Sequence, residues 1–125
     1  MNYIDRFTAE VGYGYYHFPS FTYGKRDKIR GVRKAFCSAC TLEVTACTSG
    51  FRGGDSGHGG RTVISFRDLG GTDIKIVPIP AGIGNGGCEI HLGGDAELGN
   101  MIDGLRFAAD ALEKLAKEAR QTQEE

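Results

Sequence analysis

Six of the eleven residues from Gly50 to Gly60 are glycine, and sixteen of the chain's twenty glycines fall between Gly50 and Gly104. Glycine loses more backbone freedom on folding than any other residue, so so dense a run is destabilising unless positive φ angles or close backbone approach require it. This points to a sheet with elaborate connections rather than a low-complexity segment. It also singles out Gly50-Phe51-Arg52-Gly53-Gly54-Asp55-Ser56-Gly57-His58-Gly59-Gly60-Arg61 as a loop whose backbone something approaches closely.

At 125 residues the chain is expected to form one domain with one core, built as a single pairing of a sheet with a helix. A formal net charge of -1 gives no general argument for nucleic-acid or membrane binding. Charge is nonetheless local, since six of the fifteen basic residues (Lys25, Arg26, Lys28, Arg30, Arg33, Lys34) lie in one ten-residue stretch with only Asp27 against them. The first residues lack the apolar run of a signal peptide, and no stretch approaches the ~18 apolar residues of a membrane helix, so a cytoplasmic protein with no membrane partner is expected. Cys37, Cys40, Cys47 and Cys88 are then reduced thiols, buried small hydrophobes or metal ligands rather than a disulfide framework.

Residues 1–36 form an aromatic and basic N-terminal part, in which Tyr3, Phe7, Tyr13, Tyr15, Tyr16, Phe18, Phe21 and Tyr23 are punctuated by glycine and proline. That composition predicts one or two short strands and turns. Thr41 to Thr48 alternates cleanly, with Leu42, Val44 and Ala46 on one face and Glu43, Thr45 and Cys47 on the other. Arg61–Arg67 and Thr72–Pro78 read as two further strands, joined as a hairpin by Asp68-Leu69-Gly70-Gly71. Cys88–Leu92 reads as another, with Cys88, Ile90 and Leu92 inward, and no helix separates these segments. From Asp95, placed as an N-cap with Glu97 in the first turn, a helix is predicted to about Gln121. Its apolar stripe of Leu98, Ile102, Leu105, Ala109, Leu112, Ala116 and Ala119 is expected to face the sheet, flanked by Met101, Ala108 and Leu115. The predicted fold is thus α+β: an antiparallel β-meander of about four or five strands over 41–92, packed against one long C-terminal helix at 95–121.

Gly54-Asp55-Ser56-Gly57 has the pattern around a protease nucleophile, but a chain this short cannot supply the two barrels that hold the other triad members. Cys37, Cys40, Cys88 and His91 have the spacing of two halves of a zinc site, opposed by the strand geometry that sends Cys88 and His91 to opposite faces. Asp55, His58 and Asp95 could meet at a cation, or serve only as turn and cap residues. Anion binding by the loop is the stronger functional expectation, because successive glycine amides form concave nests and Arg52 and Arg61 stand at the two ends. The candidate ligand-binding residues are Arg52, Gly53, Gly54, Asp55, Ser56, His58 and Arg61, with Arg106 reaching from the helix at a subunit boundary. No catalytic residue, cofactor or metal is assigned.

Gly53 to Gly59, the later Gly93-Gly94-Asp95-Ala96-Glu97-Leu98 and Leu105-Arg106-Phe107-Ala108-Ala109 together resemble small proteins of phages and prophages over about half the chain. The resemblance implies a protein of the host-cell cytoplasm and includes inhibitors of bacterial immunity, some of them oligomeric sponges for cyclic nucleotide or cyclic ADP-ribose signals. The expected function is sequestration of a small phosphorylated, nucleotide-like ligand by a homo-oligomer, without turnover. The alternative is an inhibitor that grips a host protein or nucleic-acid complex through the basic 25–34 segment.

Overall fold

The structure is a computed structural model and describes residues 13–17, 28–55 and 59–124. Among these lie six strands, β1 (Tyr13–His17), β2 (Lys28–Cys37), β3 (Thr41–Thr48), β4 (Thr62–Gly70), β5 (Ile74–Ile79) and β6 (Gly87–Leu92), followed by helix α1 (Asp95–Glu124). The fold is α+β, with antiparallel pairing throughout. Strands β1 to β4 form one sheet in chain order, and β5 and β6 form a separate two-stranded ribbon.

Inside the basic stretch begins β2, a strand of ten residues that its charge concealed. Val32 and Phe36 stand opposite Ala46 and Leu42 of β3 and pack toward the helix, while Ile29 is buried on the other face. Arginines and lysines occupy the positions between without breaking the pattern, because long charged side chains extend past an apolar surface to solvent. Strand β3 is the centre of the molecule. Leu42, Val44 and Ala46 meet Met101, Ala108 and Ala111 of α1 in the core, and the opposite face of Glu43, Thr45 and Cys47 is buried as well.

The expected hairpin between the second and third predicted strands does not form, since β4 and β5 belong to different sheets. Asp68 Oδ1 accepts from the Gly70 and Thr72 amides at 2.8 and 3.1 Å, turning the chain, and Thr72 Oγ1 donates to the Thr41 carbonyl at 3.0 Å. Asp73 is then captured by the start of the helix. Its amide donates to Glu97 Oε2 at 3.0 Å, and its carbonyl accepts from the Gly93 amide at 3.1 Å. The ribbon therefore leaves the sheet and pairs internally, Ile76 opposite Ile90 and Ile74 opposite Leu92. Leu92 is half-buried against the core, but Cys88 and Ile90, expected inward, are exposed because the ribbon runs out past the core.

Two expectations about α1 are corrected. The helix begins at Asp95, and the carbonyl of Gly94 accepts the first helical bond from the Leu98 amide at 3.1 Å, so the cap is Gly94 and not Asp95. Gly94 holds φ +123, and a Cβ there would collide with Glu97 Oε1, so the glycine is needed for Glu97 to reach back. The helix is also turned away from the predicted orientation. The residues buried against the sheet are Glu97, Asn100, Met101, Gly104, Ala108, Ala111 and Leu115, whereas Leu98, Ile102 and Leu105 are 58%, 41% and 53% exposed. A Cβ on Gly104 would come within 2.7 Å of Val44 Cγ2, so the smallest side of the helix is the one that approaches β3. Phe107 closes the flank over β2 with its ring 5.8 Å from that of Phe36, edge to face. No helix among the described residues is long and apolar enough to cross a membrane.

Candidate functional site: a cleft between the glycine loop and the helix

The loop between β3 and β4 is tied at its base. Ser49 and Arg61 exchange a bond from the Ser49 amide to the Arg61 carbonyl at 3.0 Å and one from the Arg61 amide to Ser49 Oγ at 2.9 Å. Beneath them the Thr48 and Thr62 hydroxyls pair at 2.9 Å, and Thr48 Oγ1 also accepts from the Gly50 amide at 3.0 Å. The glycines are used largely on the loop itself. A Cβ on Gly60 would strike the Gly50 carbonyl, and one on Gly59 would strike the backbone of Gly54. Gly50, at φ +81, rests its backbone on α1, where a Cβ would lie 3.0 Å from that of Ala119.

Seating the loop there leaves a cleft of about 520 Å³ beside the C-terminal half of the helix. Leu112 and Ala116 line it from the helix, Thr48 and Thr62 from the strands, and Gly50, Phe51 and Gly60 from the loop. Its charged lining is Glu113, Lys117 and Arg120. Phe51 is 77% exposed, and the Arg120 guanidinium lies 6.0 Å from its ring centre, within cation–π range. Glu113 and Lys117 pair along the helix at 3.4 Å. The lining thus combines an apolar floor, an open aromatic ring and two cations against one carboxylate.

None of the described residues expected to bind ligand is in the lining of this cleft. Arg52 is exposed and donates from Nε to the Ser49 carbonyl at 3.1 Å. Arg61 turns its guanidinium back on the Gly59 and Gly60 carbonyls, at 3.3 and 3.4 Å. Gly53, Gly54 and Asp55 are exposed, Ser56 and His58 lie outside the described residues, and Arg106 is exposed on the N-terminal half of α1. The sequence pointed to the loop but not to Phe51, Lys117 and Arg120, which become neighbours only when the loop folds over the helix. The available signal was Phe51 itself, an aromatic residue amid glycines.

The other candidate centres are also placed. Cys40 is buried, its sulfur 3.4 Å from Asn100 Nδ2, while Cys37 and Cys88 are exposed. Among the described residues no three His, Cys, Asp or Glu side chains gather to hold a metal, so Cys37, Cys40, Cys88 and His91 are not assembled as one site. His91 instead pairs with Glu89 at 2.9 Å. In the basic segment, Arg30 pairs with Glu118 of α1 at 3.0 Å and Lys34 lies 5.4 Å from the Phe36 ring centre. Residues 25–27 fall outside the described chain.

Compared with family models, curated proteins and solved structures, the chain gives no match.

Proposed function

We propose that this protein binds and sequesters a small phosphorylated, nucleotide-like ligand in the cleft between the glycine loop and α1. The observation that carries this is the open Phe51 ring beside Arg120 and Lys117 over a floor of Leu112 and Ala116. A flat heterocycle stacks on an aromatic face, and cations at the rim suit phosphate oxygens. The volume of about 520 Å³ is in the ordinary range of small-molecule sites. Binding without turnover is favoured by what the lining offers: the two threonine hydroxyls are engaged with each other, and Glu113 faces a lysine. A sponge-like role, countering a nucleotide immune signal in a host cytoplasm, extends this by way of the resemblance to small phage and prophage proteins.

The test is to incubate the protein with nucleotide signals or a cell extract, remove free ligand, heat-denature it and identify what is released by mass spectrometry. An unchanged nucleotide, lost in folded Phe51→Ala and Arg120→Ala proteins, is the expected outcome. A cleaved product would make the protein an enzyme. Release of nothing would overturn ligand binding and favour the inhibitor that uses residues 25–34.

A further inference from the structure

The hydrogen bonding at the root of the β5–β6 ribbon fixes which of its backbone groups face outward. The Gly93 amide donates to the Asp73 carbonyl at 3.1 Å, in register with the pairs from Ile74–Leu92 to Ile79–Gly87. Pairs in an antiparallel ladder alternate between bonded and unbonded, so Lys75 with His91 and Val77 with Glu89 bond inside the ribbon. Ile74, Ile76, Pro78, Cys88, Ile90 and Leu92 then turn their backbone groups away from it. Pro78, with no amide to offer Cys88, sits where this pattern asks for none. It also leaves the outer edge of β5 short of a donor, and proline on an edge resists a further strand. The edge of β6 has no such block. Cys88, Ile90 and Leu92 all hold outward amides and carbonyls there, and residues 87–91 are exposed.

We infer that this edge is the interface for a second copy of the chain, the two β6 strands pairing antiparallel about a two-fold axis at Ile90 to give a four-stranded sheet of order β5-β6-β6-β5. The register follows from the side chains. If at least two of the three outward residues are to bond, the axis lies at Ile90 or one residue to either side. An axis at Glu89 sets carboxylate against carboxylate, and one at His91 sets imidazole against imidazole. The axis at Ile90 engages all three residues and places Glu89 of each copy against His91 of the other, in the unbonded pairs where side chains come closest. Glu89 and His91 already meet at 2.9 Å within one copy, so the interface gathers two acids and two imidazoles on one face. On the other face Ile90, 37% exposed, meets its counterpart and completes a row with the two Ile76 side chains, 59% exposed. A ribbon of two strands thereby gains the width it lacks alone. None of these residues lines the cleft, so the pairing does not depend on a ligand.

The test is sedimentation velocity over a range of protein concentrations, joined to amide hydrogen exchange read residue by residue. A concentration-dependent dimer is expected. On its formation the Cys88 and Ile90 amides should slow by about tenfold or more, while the Ile76 amide, on the outer edge of β5, stays fast. Ile90→Pro removes an outward amide but no bond within the ribbon, and should weaken association by about tenfold or more. Ile76→Pro, its match on β5, should retain the dimer. Glu89→Lys and His91→Glu should each weaken self-association, and their mixture should form a heterodimer, because lysine then faces glutamate and His91 faces Glu89. A monomer at every concentration would overturn the inference. So would a dimer whose Cys88 and Ile90 amides exchange as fast as in dilute protein, a dimer indifferent to Ile90→Pro, or charge variants whose mixture associates no better than either alone.

Discussion

Cys47 lies at zero relative exposure on the second face of β3, where the neighbouring strand offers Gly31 and a Cβ would collide with the cysteine sulfur. Burial pushes its thiol up to about 12 from an ordinary 9.0. Between those values the unfolded chain loses a proton that the folded chain keeps. Stability contributed by the buried neutral thiol is full below pH 9 and declines as pH rises toward 12, by up to about 1.4 kcal/mol per pH unit. Urea denaturation at a series of alkaline pH values should show this slope, and Cys47→Ala should flatten it relative to the parent. Glycine exchanges give a second residue-scale result, because one substitution should act with opposite signs at two sites. Gly104→Ala forces a methyl to within 2.7 Å of the buried Val44 and should destabilise by about 1–3 kcal/mol. Gly99→Ala meets nothing within 4 Å in an exposed helix turn and should stabilise by about 0.5–1 kcal/mol. Denaturant midpoints of the two variants check both signs.

Among the elements, α1 is held at its start by Glu97 rather than by packing alone. This residue is 8% exposed, and its carboxylate accepts the Asp73 amide in the first helical turn, where negative charge is favoured. Removing it takes away the charged acceptor of a part-buried hydrogen bond, so Glu97→Ala should cost about 1–3 kcal/mol, while Glu97→Gln keeps an acceptor and should cost less. Amide hydrogen exchange at Asp73 separates this from a general loss of stability, since it should accelerate in the alanine variant more than the β3 amides do. The same anchor decides the course of β5 and β6. A two-stranded ribbon is marginal in water by itself, and this one is supported at its root, where Ile74 and Leu92 reach the core. Ile76 and Ile90 continue the same face outward and are 59% and 37% exposed.

At the scale of the whole molecule, the one helix among the described residues covers one part of a sheet and leaves apolar side chains open on the ribbon, on α1 and at Phe51. The sequence by itself determined the alternation of β3, the existence and length of the helix, the loop between β3 and β4, and the α+β class. Those are local matters: a period of two, a period near 3.6, and glycine where the backbone must turn or close on itself. Tertiary structure decided which helix face looks inward, because two apolar stripes adjoin on α1 and hydrophobicity favours the bulkier one. Close approach to β3 favours the smaller, through Gly104, Ala108 and Ala111. It also decided that β2 is a strand, since Ile29, Val32 and Phe36 gain their meaning only beside β3, and that β5 follows Glu97 rather than β4. The cleft has the same origin: Phe51 and Arg120 are sixty-nine positions apart in sequence, and only the seating of Gly50 against Ala119 brings ring and guanidinium together.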